Sequence, residues 1–186
     1  MTLLIVDVQN SYKSHISNSL LNDIKKLAEE SSTVFYLWDV LSGNDLYAEM
    51  PEEWLEDEDF YNSLNFITKE YGFFRSLMDV GLDSDDELIL KLLSFMNKNG
   101  FYDSRDILEN EEKHNQFKEE FKNTALLEIN LNDYPIGIPT DLIESLEALP
   151  DQIQVVGGGR NECLKEVVLL LKHIGKNPTI IEELTY

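Results

Sequence analysis

The chain has few of several residue types, and each shortage excludes something. Its 186 residues include one cysteine, so no internal disulfide can form. That points to a reducing, cytoplasmic setting. Three histidines, His15, His114 and His173, lie far apart without metal-ligand spacing, so no zinc site is expected. Lysine and arginine total 15 against 36 acidic residues, a formal net charge of −21. Nucleic-acid binders need a basic face, and anionic membranes attract basic segments. Neither partner is expected. No apolar run is long enough to span a bilayer. The opening MTLLIVDVQN has no basic n-region and no small-residue cleavage site, so no signal peptide is read.

What is there suits one α/β domain. Leu3 to Asp7 is an apolar run of the kind that forms a buried parallel strand. Helical spacing of Leu20, Leu21, Ile24, Leu27 and Ala28 follows, then a second strand over Thr33 to Trp38, ending at Asp39. The end of the chain repeats the alternation. Strands are expected at Ala125 to Ile129, Ile153 to Val156 and Thr179 to Ile181. Helices are expected at Thr140 to Leu149 and Asn161 to Ile174, the latter closed by Gly175. Alternation of this kind predicts a doubly wound, mainly parallel sheet in a three-layer sandwich.

The middle, residues 52–123, is acidic, helical in pattern and without a convincing strand. It reads as a helical insertion within a single domain 1–186. Pro51 and the run Asp83-Ser84-Asp85-Asp86-Glu87 read as helix starts. The acidic run lacks the glycine and terminal glutamate of an EF-hand loop. A solvated surface explains most of the acidic charge, and a partner-binding face is the alternative.

In an open parallel sheet, ligands bind beyond the carboxyl ends of the strands. Asp7, Asp39 and the turn Gly157 to Cys163 all fall at such ends. A cysteine at a helix N-terminus feels the positive end of the helix dipole, which favours thiolate. A carboxylate can take its proton, and amides of a glycine-rich turn can hold an oxyanion. The bland alternative for Cys163 is a small buried hydrophobe. Gly157-Gly158-Gly159 fits no phosphate-loop pattern, and Glu162 opposes an anion there.

Two segments resemble the isochorismatase-like cysteine hydrolases, which include nicotinamidases. One is Leu3-Leu4-Ile5-Val6-Asp7-Val8-Gln9-Asn10. The other is Val155-Val156-Gly157-Gly158-Gly159-Arg160-Asn161-Glu162-Cys163-Leu164 with Gly175 beyond it. The resemblance covers about half the chain. It implies Cys163 as nucleophile, Asp7 as general base, and a cis peptide at Gly158-Gly159 helping to form an oxyanion hole with Asn161 nearby. It implies a small amide or related acyl substrate, no cofactor, and self-association into a homo-oligomer.

Departures from the family are specific. Its catalytic lysine would align with Leu131 or Asn130. Lys69, in Thr68-Lys69-Glu70-Tyr71-Gly72-Phe73-Phe74-Arg75, has similar flanks, and Lys69 or Arg75 would supply the charge. Read alone, Lys69 is a solvated surface lysine. Asp39 matches the aspartate of the nicotinamidase metal site, but Leu41 stands where a histidine would. Loss of the lysine leaves a second reading: a degenerate member that binds a partner through its acidic middle.

Overall fold

The computed structural model describes residues 1–40, 45–69, 77–78, 81–82 and 84–186. The chain divides into two compact units, Met1–Gly72 with Asp141–Tyr186, and Phe73–Thr140.

The first unit is α/β. Five parallel strands form one sheet: β1 (Thr2–Val6), β2 (Thr33–Asp39), β3 (Leu64–Lys69), β4 (Gln152–Gly157) and β5 (Asn177–Ile180), in the order β3-β2-β1-β4-β5. The chain winds outward from β1 through β2 to β3, then returns to β1's other side with β4. The strand order therefore reverses between β1 and β4, which is where doubly wound sheets open a crevice.

β1 is buried on both faces, as its unbroken apolar run requires. Side chains alternate along a strand. Leu3 and Ile5 join a core with Ile24 and Ala28 of α1 (Asn18–Glu29), Tyr36, Trp38, and Trp54 of α3 (Glu52–Leu55). α2 (Leu46–Glu49) and α4 (Glu58–Ser63) flank α3. The helix after β4 packs on β1, β4 and β5 through Leu164, Val167, Val168 and Leu171.

In the second unit, α5 (Asp86–Asn99) meets α7 (Glu111–Glu120) through the rings of Phe95, Phe117 and Phe121, with centroids 4.7–5.7 Å apart, and α6 (Arg105–Glu109) packs against α7. The Asp85 side chain accepts from the Leu88 amide and caps α5, as the acidic run suggested. Asn110 caps α7 in the same way, so α6 and α7 are separate helices.

Two expectations are corrected. Residues Ala125–Glu128 form a 3-10 turn rather than a strand, and Leu126 alone of them is buried. So short an apolar run carries no periodicity to decide its state. Conversely, β3 lies in the stretch read as having no strand. It is an edge strand with only Leu64, Ile67 and Lys69 buried, and Asn65, Thr68 and Lys69 dilute its apolar signal. α8 (Thr140–Glu147), β4 and β5 fall within a few residues of their expected places. No helix among the described residues is long and apolar enough to cross a membrane.

Candidate active site

The carboxyl edge of the sheet brings distant residues into line. Asp7 follows β1, Asp39 and Lys69 end β2 and β3 as register partners, and Gly157 pairs with Val6. Neighbouring strands lie about 4.8 Å apart, so Lys69 is roughly 10 Å from β1 with β2 between them. A four-carbon side chain bridges that span. Lys69 Nζ donates to Asp7 Oδ2 at 2.8 Å and to Glu166 Oε2 at 3.4 Å. Asp7 is 0 % exposed and Lys69 and Glu166 are each 2 % exposed. Lys69 is therefore a buried ion-pair member, not the solvated lysine its neighbourhood in sequence suggests.

Burial acts to lower the Lys69 pKa, but Asp7 and Glu166 outweigh it and hold the ammonium well above the ordinary value. Lys69 is charged throughout the physiological range. Glu166 lies on α9 (Cys163–His173), three residues after the cysteine and so on the same face one turn along.

Asp7 has φ 48°, unusual for a residue with a Cβ. Such a conformation costs on the order of 1–3 kcal/mol and persists only where the surroundings enforce it. The Asp7 amide donates to Leu37 O at 2.8 Å, the Tyr186 hydroxyl to Asp7 O at 2.6 Å, and the Tyr36 hydroxyl to Val8 O at 2.6 Å. Beyond Asp7, Gln9 accepts from the Asp39 amide at 2.6 Å and donates to Asp39 O at 3.0 Å and to Glu49 at 3.3 Å. Glu49 also accepts from the amide and hydroxyl of Ser11. These bonds fix the loop that carries Tyr12.

On the other side of the switch point, Gly157 has φ 79°, and a Cβ there would sit 2.5 Å from Val6 O. Only glycine fits. Gly158, at φ 56°, turns the chain beneath Leu164. All peptide bonds among the described residues are trans, so the cis bond implied at Gly158-Gly159 is absent. The Gly159 carbonyl accepts from the amides of Glu162 and Leu164. The turn's bonds leave the amides of Asn161 and Cys163 outside them, at the start of α9.

A cavity of about 540 Å³ opens here. Cys163, Tyr12, His15 and Tyr186 line it, with Gly159, Asn161 and the half-exposed Arg160 at the turn. The Cys163 thiol lies near Asp7, whose Oδ1 completes no other hydrogen bond. Burial above all, with Asp7 and Glu166 adding to it and Lys69 opposing it, pushes the thiol up to about 12. This overturns the expectation of a thiolate at the helix N-terminus. Desolvation and two carboxylates outweigh both the dipole and the lysine. Tyr12 and Tyr186 are likewise held protonated, mainly by burial and then by Asp39 and Asp7 respectively.

Asp39 is buried at the end of β2 and faces the Tyr12 side of the crevice. Arg75 lies outside the described residues. Leu131, where the resemblance would align a lysine, is a buried apolar residue of the second unit. Among the described residues no cluster of three or more histidines, cysteines or carboxylates could hold a metal ion. Sequence reasoning missed Glu166, Tyr12 and Tyr186. An acid on the buried face of the apolar helix Leu164 to Leu171 is a readable signal for Glu166. Tyr186 carries none.

The arrangement places a protonated thiol, a buried carboxylate with one open oxygen, and a fixed cation beside a cavity. It can move a proton from sulfur to Asp7 with Lys69 stabilising the carboxylate side. No known family, no curated protein and no solved structure matches this chain.

Proposed function

We propose that this chain is a cysteine hydrolase of isochorismatase-like type, acting on a small amide or related acyl compound. The observation that carries the reading is the buried Lys69–Asp7 pair beside Cys163 at the sheet's switch point. The lysine comes from β3, not from the stretch where the family resemblance would align it. Because Cys163 rests as a thiol, attack is coupled to proton transfer. The S–H proton passes to Asp7, sulfur bonds the carbonyl carbon, and the C=O π pair moves onto oxygen. Amides at the start of α9 suit that oxyanion. As the intermediate collapses, the C–N bond breaks and the leaving nitrogen takes the proton from Asp7. Water then attacks the thioester and gives a proton to Asp7; the C–S bond breaks, the acid leaves, and the sulfur takes the proton back from Asp7. Lys69 keeps its charge throughout and steadies Asp7 in its ionised state.

The test is ammonia release from a panel of small primary amides. Turnover by the native chain, falling at least about 100-fold in Asp7→Asn and Cys163→Ala, supports the reading, in line with the usual weight of proton transfer. The raised thiol pKa favours a second reading, a degenerate relative that binds a partner through its acidic middle. Silence across the panel, with a stable complex recovered in pull-downs, would establish that one instead.

A further inference from the structure

We propose that Tyr186 and Tyr36 are positioning residues for Asp7, their hydroxyls holding the backbone carbonyls of Asp7 and Val8 so that the Asp7 carboxylate stays turned toward Lys69 and Cys163. The inference rests on the hydrolase reading only in taking Asp7 as the proton acceptor of Cys163.

Asp7 sits in a left-handed conformation without a glycine's freedom. An extended residue there would continue β1 and project its side chain from one face of the sheet instead. Two short hydroxyl bonds act on the two peptide units that follow Asp7's Cα. The Tyr36 ring is fully buried in the sheet core and braced edge-on by Trp54 and Phe66. Tyr186 is braced differently. Its amide donates to Gly158 O at 3.3 Å, and its carbonyl accepts from the Arg160 amide at 2.9 Å. The Arg160 guanidinium in turn binds Glu182 O at 2.7 Å and the Thr185 hydroxyl at 3.0 Å. The turn that carries the nucleophile is thereby tied to the residue that restrains the base. Tyr186 also lines the cavity and stacks on His15, with ring planes 12° apart. A group entering the cavity meets this restraint directly.

The test is a double-mutant cycle read by iodoacetamide, which forms a C–S bond at Cys163 as iodide leaves. The rate of Cys163 carbamidomethylation is followed by mass spectrometry across pH 7–10. Circular dichroism checks the fold of each variant. Asp7 accepts the thiol proton as sulfur attacks, so releasing Asp7 slows alkylation at fixed pH. Tyr186→Phe keeps the ring and removes only the hydroxyl. It is expected to slow alkylation about fivefold, the worth of one net hydrogen bond. In an Asp7→Asn background the same change is expected to do nothing, because the hydroxyl acts through Asp7. A merely structural role would act alike in both backgrounds. Tyr36→Phe carries the same expectation from the neighbouring carbonyl and serves if the first variant misfolds. An unchanged rate in Tyr186→Phe, or an equal effect in both backgrounds, overturns the restraint while leaving the hydrolase reading intact. If Asp7→Asn itself leaves alkylation unchanged, Asp7 is not coupled to Cys163, and both readings fall.

Discussion

Replacing Lys69 with methionine isolates the buried charge pair. Methionine matches the length of the aliphatic stem, so the lost element is the ammonium. Asp7, 0 % exposed, then loses the cation 2.8 Å from Oδ2. Removing one partner of a buried pair costs about 3–5 kcal/mol, because the other charge stays buried without compensation. Urea unfolding at pH 7.5 should show a deficit of that size. A deficit below about 1 kcal/mol, the range of exposed ion pairs, would show that the pair does not act as a buried one.

Two further predictions concern Glu166 and His173. Glu166 adds to the upward pressure on the thiol, so Glu166→Gln should speed Cys163 alkylation at pH 8–9. A slower or unchanged rate would show that its charge does not reach the sulfur. Burial lowers the His173 pKa, and its Nδ1 is buried without a hydrogen bond. As pH falls through the unfolded value of about 6.5, the unfolded chain binds the proton first, so native stability declines. His173→Gln should flatten the stability profile between pH 7 and pH 5, measured by urea midpoints. An unchanged slope would place the titration elsewhere.

How much of this was legible depends on what each residue's signal competes with. β1 and Asp7 are legible because a strand covered on both faces leaves an unbroken apolar run, and the first polar residue after it marks the carboxyl edge. The Gly157 turn is legible because only glycine tolerates that φ so close to β1. β3 is not, because an edge strand can be polar, and its lysine reads locally as a surface residue. Only the long-range pairing of β3 with β2 turns Lys69 into a partner for Asp7. The thiolate expectation failed for a related reason. Helix position is a local property and can be read, whereas desolvation and the charges of Asp7 and Glu166 arise from the fold. Tyr186 reaches the Asp7 carbonyl across 179 positions of sequence, a contact no local pattern encodes.

The central claim is that Asp7, Lys69 and Cys163 act as one reactive group. Its most direct measurement is rapid acid quenching during turnover of an amide from the panel, followed by intact-protein and peptide mass spectrometry. An acyl adduct is expected on the peptide containing Cys163, present in the native chain and strongly depleted in Asp7→Asn. Turnover without any adduct on Cys163, or an adduct that forms equally fast in Asp7→Asn, would contradict it.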